Sequence, residues 1–192
     1  MSKDNKELKF GTKLLHFGGE IDKTTGASSA PIYQASTFHH FSMDESPEFD
    51  YARSGNPTRQ ALEDYIALLE GGAKGFAFAS GMAAISSAFM IFSAGDHIIC
   101  TEDVYGGTYR LLTTVLNRMN IETTFVDMTD LDKIKAALKP NTKAVFMESP
   151  SNPTLKITDI SAVVEWAESH ELLTLIDNTF MTRTISVRWN WE

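Results

Sequence analysis

The chain has 192 residues, enough for one ordinary core, and its 43% hydrophobic and 22% charged content is typical of a globular domain. A formal charge of −8 offers no basic face to nucleic acid, and the single cysteine, Cys100, excludes an intramolecular disulfide framework and a CxxC metal site. The polar start, Met1-Ser-Lys-Asp-Asn-Lys-Glu7, has no apolar run behind it, and the apolar stretch Ala83 to Gly95 is too short to span a bilayer. A cytoplasmic protein is expected.

Residues 1 to about 50 show turn signals (Gly18-Gly19, Thr24-Thr25-Gly26, Ser46-Pro47) but no sustained periodicity, so an extended arm or irregular layer is expected. Asn56 is a good helix N-cap and Pro57 suits the first helical position. Leu62, Tyr65, Ile66 and Leu69 follow at helical spacing, and Gly71-Gly72 ends the run. Strands are then expected at Gly75–Ser80, His97–Thr101, Glu122–Asp127, Ala144–Glu148 and Leu172–Asp177. Helices are expected at Met82–Ser93, Thr108–Asn120, Leu131–Lys139 and Ile160–His170. The alternation, with near-continuous apolar strands such as Leu172 to Ile176, predicts an α/β fold whose mostly parallel sheet is covered on both faces. Cys100, in the apolar run His97-Ile-Ile-Cys100, reads as a buried structural thiol. No two of His16, His39, His40, His97 and His170 have ligand spacing on a predicted helix, so no metal is expected.

Several short segments have the residue types of a binding site. Ser80-Gly81-Met82 opens a helix after an apolar run, where backbone N–H groups favour an anion; a plain strand–helix turn would look the same. Tyr51 and Arg53 stand two apart, on one side of an extended segment, and a guanidinium with a hydroxyl suits a phosphate; a solvated arginine beside a packing tyrosine is the plainer reading. Tyr105 precedes Gly106-Gly107, which leave room for its ring to stack on a flat ligand, unless it is an ordinary loop tyrosine. Asp177 ends an apolar strand, where a site carboxylate or a helix cap could sit. Glu148 and Asn152 sit at the end of the preceding predicted strand.

Five blocks recur in one order: Tyr51-Ala-Arg53-Ser-Gly-Asn56-Pro57-Thr58, Ser80-Gly81-Met82-Ala-Ala, Tyr105-Gly106-Gly107-Thr108, Glu148-Ser-Pro-Ser-Asn152-Pro153-Thr154 and Asp177-Asn178-Thr179-Phe180. Together they resemble the cofactor half of the Cys/Met-metabolism family of pyridoxal-phosphate (PLP) enzymes, over about residues 8 to 182. The resemblance implies PLP as cofactor and the aspartate-aminotransferase-like type I fold, here a truncated large domain with a parallel-rich sheet. The implied domains are an N-terminal arm at 1–57, the PLP-binding domain at 58–182 and an aberrant tail at 183–192. It implies cofactor contacts from Tyr51, Arg53, Ser80, Gly81, Met82, Tyr105, Glu148, Asn152, Asp177 and Thr179. Among them Tyr105 would cover the ring and move a proton, and Asp177 would hold the pyridine nitrogen protonated. Tyr51 and Arg53 would reach a neighbouring subunit's phosphate site, which implies a homo-oligomer, in this family a homotetramer.

The implied activity is a carbon–sulfur lyase of trans-sulfuration, cystathionine β-lyase-like, with cystathionine as the small sulfur amino-acid substrate. Cystathionine γ-synthase, O-acetylhomoserine sulfhydrylase and γ-lyase chemistry share the same blocks. The family's Ser-x-Thr-Lys segment, source of the Schiff-base lysine, is not among these residues. The stretch Ile185 to Glu192, read one base out of register, can encode Gln-Arg-Pro-Leu-Glu-Leu-Gly, the family's continuation. A frameshift between about Phe180 and Ile185 is therefore expected, and an inactive remnant is the alternative from another functional class.

Overall fold

The computed structural model describes residues 9–15, 22, 24–44 and 46–181. His16, Gly18-Gly19 and the tail with its out-of-register segment lie outside the described residues. Packing divides the chain into two units, at Ala77/Phe78.

In the first unit, the expected long helix is α2, Pro57–Glu70. (The short α1, Phe10–Leu15, precedes it.) Asn56 caps α2: its side chain accepts the Thr58 N–H at 2.8 Å, while its own amide donates to the Tyr33 carbonyl at 3.0 Å. The cap thus also anchors the irregular layer before it. Gly71, at φ 68°, closes the other end, where the Gly72 N–H reaches the Ala67 carbonyl at 2.9 Å. α1 was not expected. None of its residues is buried, so it carries no apolar stripe for periodicity to reveal, and the Tyr65 hydroxyl ties it to α2 through the Leu14 carbonyl.

Two further local expectations fail. Gly75–Ser80 forms no ladder among the described residues. Instead Gly75 is pressed onto α2, where a β-carbon would lie 2.2 Å from the Glu63 carbonyl oxygen, and the Ala77 N–H donates to the Glu63 carboxylate at 2.9 Å. Tyr51 pairs with Thr37 in an antiparallel bridge, but Arg53 lies in the turn that follows, not in an extended segment: the Ser54 and Gly55 N–H groups both bond to the Tyr51 carbonyl. Their side chains nevertheless meet, with the guanidinium 4.9 Å from the tyrosine ring centre.

In the second unit the strands are β1 (His97–Thr101), β2 (Glu122–Val126), β3 (Thr142–Glu148) and β4 (Leu173–Asp177). They form one parallel sheet in the order β2-β1-β3-β4. α3 (Gly81–Phe89) precedes β1, and α4 (Gly106–Arg110), α5 (Leu131–Ala136) and α6 (Ile160–Ser169) run between successive strands. Successive strand residues point to opposite faces, and each face builds a core. Ile98, Cys100, Ala144 and Phe146 pack with Phe89, Leu112 and Leu116; Ile99, Val145 and Met147 pack with Ile134, Val163 and Trp166. Cys100 is fully buried, and burial pushes its thiol well above the ordinary range.

The helix expected at Thr108–Asn120 starts earlier and changes winding. α4 passes into a wide π turn, Leu111–Leu116, and a short tight one, Asn117–Met119, ended by Asn120 at φ 60°. The wide turn delivers Leu111, Leu112 and Leu116 to the core. No helix of the described residues is long and apolar enough to cross a membrane.

Candidate active site

Parallel strands bring their carboxyl ends to one side of the sheet, and helix N-termini return there. At that side of the second unit lies a cavity of about 700 Å³. Its floor is apolar: Ala84, Ile85 and Ala88 of α3, with Phe146, Leu175 and Ile176 of the sheet. Its polar wall contains Ser80, Gly81, Met82, Tyr105, Glu148, Asn152, Asp177 and Thr179.

Ser80 caps α3, its hydroxyl accepting the Ala83 N–H at 3.1 Å. Gly81 has open space where a β-carbon would project, so the helix start is bare toward a ligand. Asp177 is the last residue of β4, paired in register with Glu148 at the end of β3. Thr179 fixes it: the Thr179 N–H and hydroxyl both donate to Asp177 Oδ1, at 3.0 and 2.6 Å. Oδ2 is then the oxygen left to meet a ligand.

Glu148 is buried, and Oε2 accepts the Tyr105 N–H at 2.9 Å. Burial pushes its carboxyl above the ordinary range; the Tyr105 and Asn152 N–H groups oppose this, and the like charges of Asp177 and Asp103 add to it. The Tyr105 ring lies against Gly107, where a β-carbon would be 2.5 Å from the ring and 2.7 Å from Met82 Sδ. The polar wall therefore offers helix N–H groups in one place, carboxylates in another, and an aromatic ring beside them.

Eight of the ten residues singled out in the sequence line this cavity. Tyr51 and Arg53 belong to the first unit. Sequence reasoning missed the floor, although Gly81, Ala84, Ile85 and Ala88 have the spacing of one helical face. It also missed Asp103, which holds the loop after β3 and carries no motif of its own.

The profile of the Cys/Met metabolism PLP-dependent enzymes matches residues 11–188. The chain belongs to that family. Among curated members, it is 59% identical over 182 residues to the cystathionine β-lyase MetC of Bacillus subtilis, covering 95% of this chain and 46% of the relative. It is 54% identical to the cystathionine β-lyase of Lactococcus lactis subsp. cremoris, covering 89% of this chain and 45% of that one. The crystal structure of cystathionine γ-lyase from Lactobacillus plantarum superposes with a TM-score of 0.87 at 52% identity, over 92% of this chain and 46% of that one. The chain thus spans about half the length of the relatives it matches.

This family is PLP-dependent, and the cavity's donor set fits that cofactor. A phosphate suits a helix start with room at Gly81, a protonated ring nitrogen suits an anchored Asp177, and the flat ring suits Tyr105 and the apolar floor. No lysine is among the residues that line the cavity. Lys156 is paired with Glu102 at 2.9 Å and Asp127 at 3.4 Å, which raises its pKa and keeps it charged.

Proposed function

We propose that this chain supplies the cofactor-binding half of a cytoplasmic PLP-dependent carbon–sulfur lyase that cleaves cystathionine. The observation that carries this is the cavity itself, where Asp177, anchored through Oδ1 by Thr179, and the bare N-terminus of α3 face the same space. When bound, PLP would supply an electron sink for charge developing on the substrate's α-carbon. The Ser80–Met82 N–H groups would hold the phosphate. Asp177 Oδ2 would accept the ring N–H and keep that nitrogen protonated, and Asn152 would lie beside the phenolic oxygen. Tyr105 would cover the ring, keep water off it and protonate the leaving sulfur. Glu148 would hold Tyr105 through its backbone N–H. Tyr51 and Arg53 would complete the phosphate site of a second copy, so the working form is a homo-oligomer. Removal of the α-proton requires a base beyond the cavity residues named here. In the net β-elimination, cystathionine and water give homocysteine, pyruvate and ammonia.

The test has two arms. The 192-residue chain, titrated with PLP, should bind it saturably yet yield no borohydride-fixed adduct at a single lysine. A stoichiometric adduct on one lysine overturns the residue assignments. Residues 1–181 joined to the remaining part of the Bacillus subtilis β-lyase should release pyruvate from cystathionine and lose that activity with Asp177→Ala. No keto acid from a folded, PLP-bound chimera overturns the proposal.

A second reading, a γ-cleaving or γ-replacing enzyme, is favoured by the 52% identity to the Lactobacillus γ-lyase. It predicts 2-oxobutyrate from cystathionine, or acetate release from O-acetylhomoserine, in a matching chimera with the Lactobacillus plantarum γ-lyase.

A further inference from the structure

Asn152 reaches the cavity from the loop between β3 and α6, and the outer side of that loop hangs on one oxygen atom. Asp103 Oδ2 accepts the hydroxyls of Ser151 and Thr154 and, at 3.2 Å, the Thr154 N–H. Ser151 in turn closes the loop on itself. Its Oγ accepts the Lys156 N–H at 3.0 Å, and its own N–H donates to the Lys156 carbonyl at 3.0 Å. Asp103 comes from the connection between β1 and α4, two residues before Tyr105, and is not a cavity residue. One side chain therefore joins, from behind, the two segments that carry Tyr105 and Asn152. Glu148 joins the same two segments from inside, facing both backbone N–H groups.

The clamp has the chemistry to hold. Its donors converge on a carboxylate, and charge-assisted bonds are the strong ones. Ser151 is 1% exposed, so the donor side of that bond is shielded from water, while Asp103 is half-buried. The pairs of Lys156 with Glu102 and Asp127 also span this loop, but they are solvent-exposed and contribute little.

We propose that Asp103 is a positioning residue: by holding Ser151 and Thr154 it fixes Asn152, and through Asn152 it sets the cavity's affinity for PLP. This rests on the reading of the cavity as a PLP site. The clamp itself does not, because every group in it belongs to this chain.

The test compares the 192-residue chain with Asp103→Ala, Asp103→Asn, Asn152→Ala and the Asp103→Ala/Asn152→Ala double variant. PLP affinity is read by titration, and the clamp by amide hydrogen exchange of the cofactor-free chain. Asp103→Ala should weaken PLP about tenfold or more, the scale of losing bonds to a charged group, and speed exchange at Thr154 and Lys156. Asp103→Asn keeps an oxygen acceptor and should recover most of both. Asp103→Ala should add little once Asn152 is already Ala, because it acts through that residue. Equal losses in both backgrounds overturn the proposal, as does faster exchange with unchanged PLP affinity, which would make the clamp merely structural. Unaltered exchange in Asp103→Ala overturns the clamp. If the wild-type chain fails to bind PLP while exchange responds as described, the cofactor reading falls and the clamp is supported.

Discussion

Gly107 has no room for a side chain. A β-carbon there would lie 2.5 Å from the Tyr105 ring and 2.7 Å from Met82 Sδ, and both of these residues line the cavity. Gly107→Ala should therefore weaken PLP binding by displacing the Tyr105 ring, while urea unfolding shows little loss because alanine favours helix over glycine. A large stability loss with unchanged PLP affinity would mean that the ring does not serve the site. Glu148 offers a pH test. Its carboxyl is raised above the ordinary 4.5, chiefly by burial, so the folded chain holds that proton more tightly than the unfolded one. Stability from this source is complete below pH 4.5 and is lost as pH rises through the folded value. Glu148→Gln keeps an acceptor for the Tyr105 N–H and removes the charge. Urea denaturation from pH 4.5 to 7 should show the variant gaining on the wild type as pH rises; parallel curves would refute the raised carboxyl.

Elements tell the same story with less chemistry. β1 is stitched to both neighbours at its entry by His97, whose ring nitrogens lie 2.8 Å from Thr142 Oγ1 and 2.8 Å from Thr124 Oγ1. Burial, with Lys139 nearby, lowers its pKa from 6.5 against a smaller opposing effect of Glu122. A depressed histidine means that the unfolded chain takes the proton first, so stability falls as pH drops from 6.5 through the folded value. His97→Leu should flatten that fall and cost about 1–2 kcal/mol through the lost bonds to the two threonine hydroxyls. Persistence of the fall in the variant would assign it to another group. The helices and parallel strands of the second unit were legible because their periods and caps are local. Gly75–Ser80 was misread for the opposite reason. Its apolar alternation suits a strand, but a strand needs a ladder partner, and the contact of Gly75 with α2 is visible only in space.

At the scale of the molecule, the sheet has two outer strands, and β4 is one of them. Among the described residues it pairs on one side only, and Leu173 is 53% exposed. An outer strand with an exposed apolar residue is a template for association. The 192-residue chain should therefore self-associate in a concentration-dependent way, and Leu173→Lys should suppress this, measured by light scattering. Association unchanged by the substitution would place the contact elsewhere.

Family, fold class and the polar wall of the cavity could be read from the chain alone, because they reside in short blocks: Ser80-Gly81-Met82, Glu148 to Asn152, and Asp177 to Thr179. Each block carries its own local physics, such as a helix cap, a strand end or a turn, and needs no distant partner to be recognised. What the blocks share is decided in three dimensions. The parallel register sets Glu148 beside Asp177, packing against Gly107 places the Tyr105 ring, and a carboxylate some fifty positions away from Thr154 holds the loop of Asn152. Such contacts depend on loop closure and on which strand lies next to which, and no local pattern encodes them.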